Sequence, residues 1–416
     1  MKKGMTRRDF IRSGVMGVAG TAVYRRMPVM PVFEEKPRIK SYRTLGRTGM
    51  RVSDVSLGAA VPQDVDLIRY LLDGGVNYID TAERYLNGQS ERIVGEAVKG
   101  RRKEVFITTK LSVRDNTTAQ EWVDRCHGCL DRLQTDYVDV LMIHGVAKTE
   151  ELTLPFVHEA FQRLKSAGKV RFLGLSCHEP RMVDICNAAI EDGQFDVLLL
   201  VYNFMQEKAE SVLKHAAQKG VGTTIMKVHA SEHPERLRTV SDEERLRLQD
   251  EADERTRQFR EKYGLEGDAY YRAAIAWVLQ NPDVGCVVTS IRTFDQADDY
   301  LSVSGKRFSH HDRSILNRYG GRMHRRYCRH ACGLCEPFCP HGVAVNDILR
   351  IHAYYTNYRQ EELAVQRYAE LDRDRKATFC LTCSGVCEEH CPYGVSIRRR
   401  LVAAHNDLVP RENINV

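Results

Sequence analysis

Short apolar runs alternate with amphipathic stretches along the middle of the chain. The apolar runs are typical of β-strands, and the stretches between them repeat apolar residues every three or four positions, which is typical of helices. The run Val197–Val201 is apolar at every position, which predicts a strand buried on both faces, as in a parallel sheet covered by helices. Eight runs fit this description, and they begin at Val55, Tyr78, Val105, Val138, Val170, Phe195, Val221 and Val284.

Eight successive strand–helix pairs predict an α/β fold, the (β/α)8 TIM barrel, which we assign to residues 37–318. A doubly wound parallel sheet is the alternative, but no glycine-rich nucleotide fingerprint stands between a predicted strand and a predicted helix. Residues 231–264 interrupt the pattern with 18 charged residues in 34. Ser241 and Glu244 match a capping box there, so we expect an exposed charged helix, either a plain surface helix or a lid over the active-site face.

The N-terminal segment, residues 1–36, resembles a twin-arginine export signal and a linker. Arg7 and Arg8 precede Phe10, and a weakly apolar stretch of 11 residues runs from Gly14 to Tyr24. A membrane-spanning helix needs about 20 residues, so we expect no permanent membrane span. The segment predicts export of the folded protein to the periplasm or another extracytoplasmic space; the alternative is an ordinary basic tail.

Composition excludes several classes of protein. Hydrophobic residues make up 43% of the chain and charged residues 28%, which is typical of soluble globular proteins and not of disordered or polytopic membrane proteins. The formal net charge of +6 over 416 residues is too weak an excess to indicate nucleic-acid binding, so we expect no nucleic-acid partner. The oligomeric state stays open.

Four chemically active side chains stand at or just beyond the ends of predicted strands. Asp80 and Lys110 end two strands, Tyr85 follows the first of them in a loop, and His144 ends the fourth strand. The carboxyl ends of barrel strands meet at one rim, where barrel enzymes place their catalytic groups. A carbonyl that receives hydride needs a proton donor at its oxygen. Tyr85 is the natural donor, and an ammonium beside it is expected to favour the phenolate.

Residues about 41 to 303 resemble the aldo-keto reductase family, from the segment Tyr42–Gly49 through the eighth predicted strand. The resemblance implies catalysis by Asp80, Tyr85, Lys110 and His144, with Asp80 holding Lys110 and His144 orienting the substrate oxygen. It also implies interconversion of a carbonyl (aldehyde, ketone or sugar) and its alcohol by hydride transfer with NADP or NAD. The expected partner is therefore a small carbonyl or sugar-type substrate.

The same resemblance implies contacts to the nucleotide, with three departures from the family pattern. Cys177 replaces the usual asparagine, Leu199 replaces a glutamine, and Lys227 replaces a stacking aromatic residue. In this interpretation Arg292 pairs with a 2′-phosphate, which favours NADP over NAD. The alternative interpretation is that Arg292 is an ordinary surface arginine. The residues expected to bind the cofactor are Ser176, Cys177, Lys227, Ser290, Arg292 and Gln296.

Eight cysteines crowd into residues 319–416 in two similar sets. Matching cysteines lie 52, 51, 52 and 52 residues apart, and a proline follows the last cysteine of each set. This resembles the two-cluster ferredoxin pattern, in which the fourth cysteine of each half binds the other cluster. The resemblance implies two [4Fe-4S] clusters in a small, mainly helical domain. The predicted ligands are Cys328, Cys332, Cys335 and Cys391 for one cluster, and Cys380, Cys383, Cys387 and Cys339 for the other.

Both sets have one residue more than the compact ferredoxin motif, so the chain must bulge there or one cysteine is spare. Zinc and disulfides are the alternatives, but neither explains the duplicated Cys-Pro ending. Residues 345–368 have helical periodicity. Cys126 and Cys129 lie on a helical pattern, where core packing explains them.

The leading hypothesis is an NAD(P)-dependent oxidoreductase of the aldo-keto reductase type that also carries iron–sulfur clusters for electron transfer or structure. The alternative is a non-catalytic electron-transfer or partner-binding protein that uses the barrel as a scaffold. In that alternative, Arg398–Arg400 would dock an acidic electron-transfer protein partner.

Overall fold

A computed structural model of the chain describes residues 36–61, 63–114, 116–230, 269–356 and 360–409. The predicted export segment and the charged insertion at residues 231–264 lie outside the described residues. Within those ranges, no helix combines the length and the apolar character needed to cross a membrane.

Eight parallel strands close into a barrel, as the apolar runs predict. In spatial order the barrel runs β10, β3, β4, β5, β6, β7, β8 and β9, with β9 pairing back to β10. The strands are Val55–Gly58 (β3), Tyr78–Asp80 (β4), Phe106–Leu111 (β5), Val138–Ile143 (β6), Val170–Cys177 (β7), Val197–Val201 (β8), Gly222–Met226 (β9) and Cys286–Thr289 (β10). Every residue of β6 and β8 is buried, because helices cover the outside of the sheet.

The helices that follow the strands begin where side chains can cap them. Asp64 accepts from the backbone N–H of Asp66, and Thr118 accepts from that of Glu121, which satisfies amides that have no partner inside a helix. The described helices up to the cysteine-rich region are Val65–Asp73 (α1), Gln89–Ala97 (α2), Ala119–Leu133 (α3), Pro155–Ser166 (α4), Met182–Asp192 (α5), Glu210–Gln218 (α6), Ala269–Leu279 (α7), Phe294–Leu301 (α8) and His310–Met323 (α9).

A short hairpin closes the amino-terminal end of the barrel. Tyr42–Thr44 (β1) pairs antiparallel with Arg51–Ser53 (β2). Leu45, in the turn between them, is fully buried and packs where a side chain at Gly222 or Gly285 would stand. The two glycines therefore leave room for the leucine, and the open end of the barrel is the one at which the strands end.

The cysteine-rich region forms a helical extension that packs on the barrel. Its main helices are Val345–Thr356 (α10), Glu361–Ala369 (α11) and Ile397–Leu408 (α12), which matches the predicted helical periodicity, and they enclose a small apolar core of their own. Arg350 on α10 donates to Glu179 of the barrel over 2.9 Å. The described residues from Pro37 onward form one compact unit, and the boundary at residue 318 stays a prediction.

Candidate active site

A cavity of about 280 Å³ lies at the carboxyl ends of the barrel strands, and both the barrel and the extension line it. The predicted residues Asp80, Tyr85 and His144 face it from the barrel. The extension contributes further lining residues, which no sequence motif had indicated. These are Arg350, Tyr354, Gln360, Leu363 and Arg367.

Asp80, Lys110 and Tyr85 form a continuous chain of contacts. Lys110 Nζ donates to Asp80 Oδ1 over 2.6 Å and to the carbonyl oxygen of Thr81 over 2.7 Å, and it lies 3.3 Å from the phenolic oxygen of Tyr85. Lys110 is 0% exposed and Asp80 3%. Burial raises the pKa of Asp80 and lowers that of Lys110, and the attraction between the two opposes both shifts. The structure therefore brings the predicted residues Asp80, Lys110 and Tyr85 together.

The protonation of Tyr85 differs from the expectation. Lys110 is in place, but burial raises the pKa of Tyr85 well above its ordinary value, and the negative charge of Asp80 raises it further. The predicted net acidification of the phenol is therefore wrong for this site, because loss of water outweighs the cations that favour the phenolate, among them Lys227 and Arg367. Tyr85 is a neutral phenol that holds its proton at neutral pH, which is the state a proton donor needs.

His144 stands against the ring of Tyr85, with ring centroids 5.6 Å apart and ring planes at 84°. Burial lowers the pKa of His144 well below its ordinary value, and the cations Lys110 and Arg367 add to the shift. The imidazole is therefore neutral. A neutral imidazole has one N–H to donate to a substrate oxygen.

Local structure fixes where these groups point. Lys110 and Met142 are partners in the β5–β6 register, and the N–H of His144 donates to the carbonyl of Leu111 over 2.8 Å. Tyr85 begins a short 3-10 turn, in which Leu86 and Asn87 have left-handed backbone angles, with φ of 52° and 53°. Residues other than glycine rarely adopt that backbone conformation, and such backbone strain is concentrated at functional sites.

Two of the three residues expected near the nicotinamide face the cavity. Ser176 lines it and accepts from the N–H of Gly145 over 2.8 Å, and Lys227 and Leu199 also line it. Cys177 does not line it. Its side chain is fully buried outside the barrel interior, and its thiol donates to the carbonyl of Val146 over 3.2 Å. Successive strand residues point to opposite faces, so Ser176 and Cys177 cannot both face the cavity.

The three residues expected to hold the adenosine phosphate lie together where β10 ends. Ser290, Arg292 and Gln296 all line the cavity. The N–H of Arg292 donates to Oε1 of Gln296 over 2.9 Å, and the side chain of Arg292 is exposed. The loop therefore offers a guanidinium and a hydroxyl at the rim of the cavity.

Sequence reasoning missed Arg84 and the residues of the extension. Arg84 directly precedes Tyr85, so its position beside the site could have been predicted from the sequence. Tyr354 and Arg367 carry no such signal, because their approach to the site depends on how α10 and α11 dock. Burial opposes ionisation of Tyr354, yet Lys227 and Arg350 lower its pKa below the ordinary value.

The cysteines of the extension fall into two groups. Cys328, Cys332, Cys335 and Cys391 line one small cavity of about 20 Å³. Burial raises the pKa of the Cys380 thiol to about 12, and the nearby thiols of Cys339, Cys387 and Cys383 add to the shift. Among the described residues, no disulfide joins any of the eight. Among the described residues, no group of three or more His, Cys, Asp or Glu side chains is arranged around a point where a single metal ion would bind.

Two other features of the sequence have structural roles. Cys126 and Cys129 are fully buried in the core, as expected. Arg398 donates to the carbonyl oxygens of Cys380 and Leu381 over 3.1 Å each. Arg398, the first arginine of the basic run, therefore stabilises the extension, and docking of a partner by the run stays a hypothesis.

Comparison with known proteins shows sequence similarity well beyond the residues of the site. The sequence model of the aldo/keto reductase family matches residues 49–319. Aldo-keto reductase YhdN of Bacillus subtilis is 30% identical over 215 residues, which cover 44% of this chain and 60% of that protein. Methylglyoxal reductase YeaE of Escherichia coli is 36% identical over 115 residues, which cover 27% of this chain and 38% of that protein. The chain thus spans 60% or less of the length of these two relatives.

A solved aldo-keto reductase from Klebsiella pneumoniae in complex with NADPH has the same fold. It superimposes with a TM-score of 0.52 at 21% sequence identity and covers 68% of this chain and 95% of that one. Fold and site together define a (β/α)8 barrel with its reactive groups at the carboxyl ends of the strands. Because the family model covers more than half of its length, the chain belongs to the aldo/keto reductase family.

Proposed function

We propose that the protein is an NADPH-dependent oxidoreductase that interconverts small carbonyl compounds and their alcohols. The observation that carries the proposal is the buried chain from Asp80 through Lys110 to the phenol of Tyr85, open to the cavity beside a neutral His144. A scaffold without catalytic activity has no need of a buried ion pair, which is costly to desolvate. A reductase uses it to stabilise negative charge that develops in the transition state.

The proton comes from Tyr85. When bound, reduced nicotinamide supplies the hydride, and the carbonyl oxygen then gains negative charge. The phenol of Tyr85 transfers its proton to that oxygen, and the charge left on the phenolate faces Lys110 Nζ at 3.3 Å. Lys110 therefore makes the transfer favourable at the moment of reaction, although burial keeps the resting phenol protonated. His144 donates a hydrogen bond that orients the carbonyl.

The residues that would hold the nucleotide lie at the carboxyl ends of β7, β9 and β10. Ser176 would bond the nicotinamide amide, and Lys227 lines the same cavity. Ser290, Arg292 and Gln296 would hold the adenosine phosphate, and the exposed guanidinium of Arg292 favours NADP over NAD, because it matches a 2′-phosphate. A complex of the Klebsiella reductase with NADPH supports this choice, and the relative named methylglyoxal reductase supports a small aldehyde as substrate.

We also propose that the extension holds two [4Fe-4S] clusters. Four cysteines, Cys328, Cys332, Cys335 and Cys391, share one cavity, and they are the four that the ferredoxin pattern assigns to one cluster. Each cysteine of a four-iron cluster binds a different iron, so the four sulfurs need not surround one point. These four thiols fit the ligand set of one [4Fe-4S] cluster. The two clusters would serve electron transfer or stabilise the extension.

Export by the twin-arginine route is the third part of the proposal. The route carries folded proteins, which suits a chain whose clusters are inserted in the cytoplasm. Replacement of both Arg7 and Arg8 by Lys should keep the protein in the cytoplasmic fraction, whereas the unaltered chain should reach the periplasm. An unaltered chain that stays in the cytoplasm contradicts this part alone.

The central proposal is tested with the full chain purified without oxygen. We expect loss of NADPH absorbance when a small aldehyde is added and formation of the matching alcohol. The same preparation is assayed for iron, sulfide and bound nucleotide. A protein that contains its clusters and binds NADPH but reduces no aldehyde, ketone or sugar would overturn the proposal and favour the electron-transfer alternative.

A further inference from the structure

The extension places a second arginine above the catalytic tyrosine. Arg84 directly precedes Tyr85 in the loop after β4, and Arg367 lies on α11; both line the cavity. Arg367 is close enough for its positive charge to act on both Tyr85 and His144. Two guanidinium groups therefore face the part of the cavity where the carbonyl must stand.

These two arginines share one carboxylate, and neither holds it closely. Arg84 Nη2 lies 3.5 Å from each oxygen of Glu370, and Arg367 Nη1 lies 3.9 Å from Glu370 Oε2. Other arginines around the site are paired more tightly. Arg125 approaches Glu83 to 2.6 Å, and Arg350 approaches Glu179 to 2.9 Å.

Arginine and lysine side chains outnumber carboxylates in the lining of the cavity. Burial lowers the pKa of Arg367, and the positive charge of Arg84 lowers it further. The two side chains are 33% and 20% exposed, and both line the cavity. Guanidinium groups stay protonated at neutral pH in spite of such a shift. An anion between them would relieve the repulsion and gain charge-assisted hydrogen bonds.

We propose that Arg84 and Arg367 bind an oxyanion of the substrate, so that the enzyme acts on carbonyl compounds that carry a carboxylate or a similar anionic group. This inference rests on the proposed function. The guanidinium fork matches the two oxygens of a carboxylate. Arg84 follows β4 and Arg367 comes from the extension, whereas the residues expected to hold the nucleotide lie at the carboxyl ends of β7, β9 and β10. The pair therefore stands on the substrate side of the cavity.

Two para-substituted benzaldehydes test the inference. The carboxylate of 4-carboxybenzaldehyde and the nitro group of 4-nitrobenzaldehyde have nearly the same shape, but only the first is charged. We expect the unaltered enzyme to prefer 4-carboxybenzaldehyde. The Arg367→Gln and Arg84→Gln variants should each lower kcat/KM for that aldehyde by about 10- to 100-fold, in line with loss of a charge-assisted hydrogen bond. The nitro compound should change by less than about twofold, and Arg367→Lys should recover part of the loss.

Arg373→Gln is the matched control, because Arg373 is an exposed arginine of the same extension and does not line the cavity. It should leave both aldehydes unaffected, and iron content checks that every variant keeps the extension folded. Glu370→Gln removes the competing carboxylate and should lower KM for 4-carboxybenzaldehyde alone.

Binding measurements separate this inference from the proposed function. Calorimetry on the NADPH complex compares 4-carboxybenzyl alcohol with 4-nitrobenzyl alcohol, neither of which can react there. Tighter binding of the carboxylate that is lost in Arg367→Gln supports the inference even if no aldehyde is reduced. Equal losses for both aldehydes overturn it and leave the reductase function intact. Weaker NADPH binding in the arginine variants also overturns it, because the pair would then serve the nucleotide phosphates.

Discussion

Lys110 and Asp80 form a buried ion pair with Nζ and Oδ1 2.6 Å apart, and their side chains are 0% and 4% exposed. Few contacts in the barrel combine such a short distance with such complete burial. The pair links two neighbouring strands, β4 and β5, at the rim where Tyr85 stands. The pair therefore bears both on the stability of the barrel and on the chemistry at Tyr85.

Removal of one member of this pair should cost more stability than removal of both. Lys110→Met leaves Asp80 buried without its partner, and we expect the free energy of unfolding to fall by about 3–5 kcal/mol. The double variant Asp80→Asn with Lys110→Met should be more stable than Lys110→Met alone. Both tryptophans, Trp122 and Trp277, lie in barrel helices, so their fluorescence during urea unfolding reports on the barrel. Additive losses would contradict a coupled pair.

Replacement of the phenol should separate catalysis from nucleotide binding. Tyr85→Phe removes the proton donor and should lower kcat for aldehyde reduction by about 10²- to 10⁴-fold. The dissociation constant for NADPH should stay within about twofold, because no nucleotide contact is assigned to this side chain. Stopped-flow fluorescence of bound NADPH measures the second quantity. Unchanged reduction in this variant would refute the role of Tyr85.

The pH dependence should differ between the two directions of the reaction. Burial raises the pKa of Tyr85 and lowers that of His144, so the phenol stays protonated and the imidazole stays neutral across neutral pH. Reduction should therefore be nearly independent of pH from about 6 to about 9, whereas alcohol oxidation, which needs the phenolate, should rise with pH. A reduction rate that falls as pH rises through neutrality would indicate an acidified tyrosine instead.

Pairs of cysteine variants distinguish crossed from local cluster ligation. If the fourth cysteine of each set crosses over, Cys328→Ala with Cys391→Ala should remove one cluster and leave about four of about eight irons. Cys328→Ala with Cys339→Ala should then remove both clusters. Local ligation gives the opposite result, so each pair is the control for the other. Iron and sulfide analysis of protein purified without oxygen provides the measurement.

The orientation of strand β7 leads to a last prediction. Ser176 faces the cavity and Cys177 does not, so Ser176→Ala should weaken NADP binding whereas Cys177→Ala should leave it unchanged. Loss of the buried cysteine sulfur should instead lower the thermal unfolding midpoint. Weaker NADP binding in Cys177→Ala, with the fold intact, would restore the role that the family resemblance implied.

Much of the site could be predicted from the chain because strand ends are local features. Asp80, Lys110 and His144 each stand at or next to the end of an apolar run, and parallel strands of a barrel must end at one rim. The placement of Cys177 could also have been predicted, since adjacent strand residues face opposite sides. At Cys177 the family resemblance and the alternation of strand side chains disagree, and the structure follows the alternation.

The sequence by itself determined the barrel, the convergence of four reactive groups and the duplicated cysteine sets, because periodicity and spacing act over short stretches of chain. Only the tertiary structure decided the protonation of Tyr85, which depends on burial by distant residues. It also decided that α11 brings Arg367 to the cavity next to Arg84. These two residues are far apart in sequence, and no local pattern records that they come to line one cavity when the extension packs on the barrel.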